Sequence, residues 1–145
     1  MNAYAEPMKK IVKLDGWEWE WGFGDRVWHE TKCHGLVTGT SRYFVYVYFE
    51  NCGRADEKEI NIIPFPTMEQ WDKKFYAAKY DLHVERRGTT FIVAVVNHDT
   101  HERHENNCHE SILMRSIAEL FARVVLGYRY VDGEFVKEKA NASQL

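Results

Sequence analysis

The sequence contains little cysteine, little proline and no long apolar run. Its 145 residues include three cysteines and three prolines. A small, odd number of cysteines in a chain long enough to bury a core is typical of a reducing compartment. No apolar run approaches the ~20 residues that a transmembrane helix needs. Lys9, Lys10 and Lys13 lead into Asp15 rather than into the apolar region of a signal peptide. We therefore expect a cytoplasmic protein that does not contact a membrane.

Charge of either sign is not in large excess either. The formal net charge is −3, and acidic and basic residues are mixed in both halves of the chain. A protein that coats nucleic acid neutralises phosphates with many lysines and arginines, so this role is disfavoured. The sequence also lacks a glycine-rich phosphate loop, a Gly-x-Ser-x-Gly elbow, a His-Glu-x-x-His motif and an EF-hand loop. We accordingly predict no cofactor and no bound metal.

Aromatic residues, by contrast, are abundant. They make up 14% of the chain, with five tryptophans and eight tyrosines, and hydrophobic residues together reach 45%. This composition is that of a folded globular protein. A chain of 145 residues suffices for one ordinary domain or two very small ones. Large flat side chains can fill a thin core or line a binding face.

The first half of the chain has the pattern of a β-rich unit. Residues 1–15 are mixed in character and contain Pro7, which predicts a loose or edge segment. Residues 17–21 alternate tryptophan with glutamate, which predicts a strand with three indoles on one face. The strongest predicted strand is residues 43–49, which are β-branched or aromatic throughout and apolar on both faces.

The end of this unit is predicted from turn residues and prolines. Residues 54–59 are polar and predict a lengthened turn. Residues 57–63 include Ile60, Ile62 and Ile63 and predict a closing strand. Pro64 and Pro66 then indicate a boundary, because proline cannot donate to a strand ladder. We therefore divide the chain into a unit of residues 1–65 and a unit of residues 66–145.

The second unit changes to a helical period. Thr67 is a predicted N-cap, followed by an amphipathic helix of roughly three turns. Residues 81–86 and 89–96 flank an Arg-Gly pair and predict a hairpin. Residues 97–109 are polar and histidine-rich, and predict a connection without regular structure.

A second helix and a hairpin are predicted after that connection. Residues 112–125 carry a clear apolar stripe, and Gly127 stands where a helix C-terminus favours glycine. Asp132 and Gly133 predict a type I′ turn between two short strands. Residues 141–145 are predicted to be a frayed tail.

Three short patterns in the first unit carry a resemblance. These are a Val-x-His at residues 27–29, a Gly-x-Val at residues 35–37 and a Phe-Glu-Asn-x-Gly at residues 49–53. Residues 20–65 resemble SH3-like, Tudor/KOW-type barrels, and the pattern is similar to the small C-terminal barrel of UvrD/PcrA-type helicases. Lys32 and Cys33 stand where that pattern has an aromatic residue and a glycine. The order of elements in the second unit resembles small phage α+β sandwich domains.

The resemblance implies a binding function. Such barrels bind proteins of the transcription machinery, or nucleic acid, through loops and exposed aromatic residues. A five-strand barrel is too small to enclose a site, so it presents a face on which flat rings stack bases or seat a partner's apolar residue. Packing against the core is the more common role of any one aromatic residue on such a strand. The candidate binding residues are Trp28, Arg42, Phe44, Tyr46 and Tyr48.

The histidine-rich connection is a candidate metal site. Imidazole and thiolate are ligands of zinc, and a closed structural site needs four of them. The tract lacks the paired spacing of zinc fingers, so we predict a solvated connection rather than a metal site. The possible ligands are His98, His101, His104, Cys108 and His109.

Two His-x-Thr tripeptides provide an enzymatic alternative. His29 and Thr31 form the first, and His98 and Thr100 the second. They resemble the signature of two-histidine phosphoesterases, in which one histidine acts as base and the other as acid on a cyclic phosphate or an oligonucleotide. The middle residues are acidic here, whereas that family has hydrophobic ones, and an acid places negative charge beside the phosphate.

The sequence thus predicts an α+β protein. An N-terminal SH3-like β-barrel is followed by a small α-β-β-α unit with a long C-terminal amphipathic helix, and the two units can share one core because each is marginal in size. The predicted function is a non-catalytic binding module, of phage or mobile-element origin. Its predicted partner is a host or phage protein of nucleic-acid metabolism, or nucleic acid itself. The alternative is a two-histidine phosphoesterase, or a sponge that retains cyclic nucleotides.

Overall fold

A computed structural model describes residues 2–138 of the chain. In the described part the elements run α1 (Ala5–Ile11), β1 (Arg26–His29), β2 (Cys33–Thr40), β3 (Val45–Phe49), β4 (Gly53–Glu57), a 3-10 turn (Glu59–Asn61), β5 (Ile63–Pro64), α2 (Met68–Ala77), β6 (Tyr80–Arg87), β7 (Thr90–Asn97), β8 (Arg103–His109), a second 3-10 turn (Glu110–Ile112), α3 (Leu113–Phe121), a π-helical turn (Ala122–Leu126), β9 (Tyr128–Val131) and β10 (Glu134–Lys137). The predicted α+β class is confirmed. The predicted frayed tail, residues 141–145, lies outside the described residues.

Five antiparallel strands of the first half form one sheet, in the order β4-β3-β2-β1-β5. Strand β1 lies inside the sheet, because Val27 pairs with Gly35 on β2 and with Pro64 on β5. A register shift between Val37 and Gly39 interrupts the ladder between β2 and β3, and such bulges bend a strand. One face of the sheet encloses a small core of Val27, Val37, Val45, Val47, Phe49 and Ile62.

Strand β4 corrects two predictions about the end of the first unit. It covers Gly53–Glu57, most of which lies in the predicted turn of residues 54–59. The predicted strand of residues 57–63 is a 3-10 turn followed by the two-residue β5. Strand β4 is at the edge of the sheet, where polar side chains are common, so its sequence shows no apolar alternation.

The second sheet has the order β6-β7-β8 and packs against helices. Its central strand β7 buries Val93 and Val95 completely. Helices α2 and α3 supply large side chains to the same core, including Trp71 and Leu120. The buried residues of this core are Ala5, Met8, Ile11, Phe65, Trp71, Phe75, Val93, Val95, Cys108, Ile117, Ala118, Leu120, Phe121 and Ala122.

Strand β8 corrects the prediction of an unstructured connection over residues 97–109. It pairs with β7 along its whole length, from Arg103 opposite Val96 to His109 opposite Thr90. The unit is therefore α-β-β-β-α followed by the β9–β10 hairpin, rather than α-β-β-α. Strand β8 is another edge strand, and its inward row is mostly polar: the Asn106 side chain reaches a carbonyl of α3, and Cys108 is buried.

Helix α1 corrects the prediction of a loose segment over residues 1–15. Its residues Ala5, Met8 and Ile11 are fully buried in the core of the second half. Pro7 lies in the first helical turn, where its missing N–H group breaks no helical hydrogen bond. The predicted division of the chain at residue 65 stays a prediction. Helix α1 belongs to the predicted first unit, but its buried side chains lie in the core of the second.

The segment of residues 17–21 corrects another prediction, because it is not a strand. It nevertheless keeps the expected alternation: Glu18 and Glu20 are exposed, whereas the three tryptophans are half-buried. Trp17 packs against the core of the second half, and Trp21 packs against the core of the sheet β1–β5. The segment therefore joins the two cores.

The signals for the other helices and turns are confirmed. Thr67 and Gln70 form a capping box at the start of α2, in which each side chain accepts from the other residue's backbone N–H. Gly127 ends the helical stretch with a φ of 82°, a value that glycine adopts readily. Asp132 and Gly133 both have positive φ, as a type I′ turn requires. Over residues 2–138, the helices are all too short or too polar to cross a membrane.

Candidate functional site

Strand β3 places aromatic side chains on both of its faces. Val45, Val47 and Phe49 point into the core, whereas Tyr46 and Tyr48 lie on the opposite face and are exposed to 38% and 51%. The sequence predicted this strand to be apolar on both faces, and one of them is open to solvent.

The neighbours of the two tyrosines extend this open face. Tyr48 lies opposite Leu36 on β2 and Arg54 on β4, and Tyr46 lies opposite Asp56. Directly opposite residues share a face of the sheet, and all of these side chains are exposed. We call Leu36, Tyr46, Tyr48, Arg54 and Asp56 the β3 face. It is an apolar row with one positive and one negative charge beside it.

The β2–β3 turn continues the exposed aromatic surface at one end. Tyr43 and Phe44 are both exposed, and the Arg42 guanidinium lies 5.5 Å from the centre of the Tyr43 ring. The turn is fixed by Ser41, whose hydroxyl accepts from the Phe44 N–H at 3.2 Å and whose own N–H donates to the Phe44 carbonyl at 2.8 Å. The predicted residues Arg42, Phe44, Tyr46 and Tyr48 are thus all accessible.

Trp28, the remaining predicted binding residue, has a different environment. It lies opposite His34, two positions along β2 from Leu36, and so on the same side of the sheet as Leu36. Its ring stacks on Phe65 with centroids 5.7 Å apart and meets the His34 ring edge-on at 4.9 Å. It is half-buried and packs against the core of the second half. The second half therefore covers this face at β1 and leaves it open at β2, β3 and β4.

The first predicted catalytic pair, His29 and Thr31, forms hydrogen bonds within its own turn. His29 Nδ1 accepts from the backbone N–H groups of Thr31 and Lys32, each at 3.2 Å, and lies 3.2 Å from the Thr31 hydroxyl. His29 Nε2 lies 3.6 Å from the buried carboxylate of Glu57, which also pairs with Lys32. Since Nδ1 accepts, neutral His29 carries its proton on Nε2, facing Glu57.

The second predicted pair belongs to the other sheet. His98 Nε2 lies 3.0 Å from Asp81 Oδ1, and its ring meets Tyr76 edge-on at 5.0 Å. Thr100 lies in the turn between β7 and β8, where its N–H donates to Asn97 Oδ1. Within residues 2–138, these groups share no contact with those around His29. A two-histidine mechanism needs both imidazoles on one phosphate, and this arrangement does not bring them together.

The histidine-rich tract also does not converge on one point. His104 Nε2 lies 3.5 Å from Glu102 Oε1, His109 Nδ1 lies 2.9 Å from the Ser111 hydroxyl, and Cys108 is buried in the core. No group of three or more possible ligands that could hold a metal ion occurs within residues 2–138. The three cysteines are all free thiols.

A groove that the sequence did not predict lies between α1, residues 17–21 and the approach to β5. Its volume is about 750 Å³. We call it the tryptophan groove. It is lined by Trp17, Trp19 and Trp21, by Lys9, Lys10 and Lys13, by His29 and Glu30, and by residues of the stretch 59–64. Lys9 and Lys10 on α1, and Lys13 two residues after its end, lie beside the three indoles, which the expected loose segment over residues 1–15 does not predict.

The three indoles form a continuous aromatic wall. The Trp17 and Trp19 rings are parallel with centroids 6.1 Å apart, and Trp21 meets Trp19 edge-on at 6.0 Å. Lys74 Nζ lies 4.5 Å from the Trp17 ring centre and donates to the Glu18 carbonyl at 2.8 Å. Burial lowers the pKa of Lys74. The cation on this ring wall therefore comes from α2 and is partly desolvated.

Two unpaired polar groups lie in this wall and just after the C-terminus of α1. The Trp19 indole Nε1 is buried and, alone among the buried side-chain nitrogens and oxygens of residues 2–138, has no hydrogen-bond partner. Lys9 pairs with Glu30, and Lys10 pairs with Glu134 and the Gly133 carbonyl. Lys13 forms no ion pair with any described residue.

Comparisons with known proteins offer no relative from which a function could be transferred. The chain matches no protein-family model, no curated protein and no solved structure. The two surfaces that could bind a ligand or a partner are the β3 face and the tryptophan groove.

Proposed function

We propose that this protein is a non-catalytic binding module that engages a partner protein through the β3 face. The observation that supports this is the exposure of Leu36, Tyr46 and Tyr48 side by side on a sheet whose other face is packed. Adjacent exposed apolar side chains on a folded protein often mark an interaction surface. Tyrosine is enriched at such surfaces because it combines a large apolar ring with a polar hydroxyl.

The charges around the β3 face favour a protein over nucleic acid as the partner. Arg54 and Asp56 both stand on β4, opposite Tyr48 and Tyr46, and carry opposite charges. A surface that binds phosphates is predominantly basic. A mixed polar rim around apolar residues is instead the common composition of a protein–protein interface.

We also propose that residues 20–65 form an SH3-like barrel. This assignment is supported by strand β1, which pairs with both β2 and β5 and so brings the fifth strand back to the first. The bulge near Val37 supports it as well, because bending a strand lets a small sheet curl round its core. From this resemblance we propose that the partner is a protein of nucleic-acid metabolism, such as the transcription machinery, and that the chain is an accessory protein of a phage or mobile element.

Affinity capture from a cell lysate with matched variants tests the proposal. We expect the same discrete protein to be retained by the wild type and by Tyr76→Ala, an exposed tyrosine on α2, and to be lost with Tyr46→Ala and Tyr48→Ala. Retention should survive nuclease treatment and the double change of His29 and His98 to alanine. Circular dichroism and thermal melting establish that each variant is folded.

Two outcomes would contradict the proposal. If Tyr46→Ala and Tyr48→Ala retain the protein as the wild type does, the β3 face is not the interface. If nuclease abolishes retention, the partner is nucleic acid rather than protein.

A further inference from the structure

We propose that the tryptophan groove is a second binding site, separate from the β3 face, and that it takes a nucleotide unit, either free or within a short single strand. Its volume of about 750 Å³ lies in the range of sites that hold small organic ligands. It combines the two features that a nucleotide needs: flat aromatic rings for the base and cations for the phosphate.

The aromatic wall is the first feature. Trp17, Trp19 and Trp21 all line the groove, and they contact one another in a row. Indole rings stack with any base, because every base has a π face. Packing against both cores holds Trp17 and Trp21 in place, so the ends of the wall need no rearrangement to accept a ligand.

The lysines on α1 and just after its end are the second feature. Lys9, Lys10 and Lys13 line the groove together with two acidic residues, Glu30 and Glu59. Glu30 is already paired with Lys9, and its exposed carboxylate can be replaced by a phosphate. Lys13, which has no ion pair with any described residue, is the cation whose charge is free to meet an anion.

The buried indole N–H of Trp19 adds an observation that packing does not explain. A buried donor without an acceptor is unfavourable, and such groups are rare in folded proteins. Trp19 lines the groove, and a base or a phosphate would supply the acceptor that this N–H lacks once the indole turns toward the bound ligand. The three features together favour a ligand that is aromatic, anionic and rich in acceptors.

Isothermal titration calorimetry on the full chain tests the site with four probes. Adenosine monophosphate carries a base and a phosphate, adenosine the base alone, inorganic phosphate the anion alone, and a short oligothymidylate carries several units. We expect adenosine monophosphate or the oligothymidylate to bind more tightly than adenosine and phosphate. Tighter binding of the monophosphate identifies a free nucleotide as the ligand, and tighter binding of the oligothymidylate identifies a single strand.

Matched variants locate the binding. Trp19→Phe keeps an aromatic ring but removes the N–H, and Lys13→Gln removes a charge at an exposed position; we expect each to weaken binding about tenfold. The controls are Trp28→Phe and Lys73→Gln, which lie outside the groove and should bind as the wild type does. Should Trp19→Phe fail to fold, Lys13→Gln decides alone.

The proposal is overturned if none of the probes binds, or if both groove variants bind as tightly as the wild type. Neither result bears on the β3 face, since Trp19→Phe and Lys13→Gln leave Tyr46 and Tyr48 unchanged and these tyrosines lie outside the groove.

Discussion

Tyr4 provides the sharpest test of how the tryptophan groove is held together. Its hydroxyl accepts from Trp71 Nε1 at 2.8 Å and donates to the Pro66 carbonyl at 2.8 Å. Trp71 is fully buried on α2, and Tyr4 directly precedes α1. These two hydrogen bonds therefore connect α1, which carries Lys9 and Lys10 of the groove, to the start of α2.

The change Tyr4→Phe isolates this tie. The ring stays, and with it the contact to Phe65 at 4.7 Å, so only the hydrogen bonds are lost. The buried indole N–H of Trp71 is left without an acceptor, which costs about 1–3 kcal/mol, and the lost bond to Pro66 adds roughly 1 kcal/mol. We expect the free energy of unfolding to fall by about 2–4 kcal/mol.

Urea unfolding measures this difference. The denaturant midpoint should fall while the m-value stays the same, because the surface exposed on unfolding hardly changes. Tyr76→Phe is the control, since it removes the hydroxyl of an exposed tyrosine and should leave stability unchanged. A loss below about 0.5 kcal/mol for Tyr4→Phe would refute the reasoning.

The same tyrosine predicts a pH dependence. Burial raises the pKa of Tyr4, so the folded state keeps its proton where the unfolded state begins to lose it. The stability that Tyr4 contributes is therefore present in full below about pH 10, the ordinary tyrosine value, and declines at higher pH. The difference in unfolding free energy between the wild type and Tyr4→Phe should be constant near neutral pH and shrink in urea titrations above about pH 10.

Two further changes test the local structure by the same urea measurement. Thr67→Ala removes the oxygen that caps α2 and accepts a backbone N–H at 3.3 Å, which should cost about 1 kcal/mol, whereas Thr67→Ser should cost little; equal losses would contradict the capping role. Gly35→Ala places a Cβ 2.7 Å from Val47 and 2.8 Å from Phe49, which should cost about 1–3 kcal/mol by overpacking. Gly22→Ala, whose Cβ has its nearest neighbour at 3.9 Å, is the control.

Periodicity in the sequence predicted the elements whose side chains meet a core along one face. Helix α2, with its cap at Thr67, is one such element, and helix α3 is another. The missed strands β4 and β8 are both at sheet edges. An edge strand tolerates polar and charged side chains, so neither sequence carries an apolar alternation. Helix α1 is not predicted, because Pro7 and the mixed character of residues 1–15 indicate irregular structure, although proline is tolerated in a first helical turn.

The two candidate surfaces differ in how far they could be predicted. Alternation alone indicated that Tyr46 and Tyr48 share one face of β3, although only the fold shows that this part of the face is left uncovered. The tryptophan groove could not be predicted in the same way. Its lysines and its indoles come from separate segments that meet only in the tertiary structure. The lysine segment is predicted to be loose, whereas Lys9 and Lys10 lie on helix α1.

The burial of α1 in the core of the second half has a consequence for synthesis on the ribosome. Strands β1–β5 pair mostly with their neighbours in sequence, so this sheet can form once β5 has emerged. Helix α1 is translated before them, yet its core partners include Trp71 on α2 and Leu120 on α3. The apolar side of α1 therefore stays exposed until α2 and α3 have been synthesised. We expect chaperones that bind exposed apolar segments to bind the nascent chain at α1.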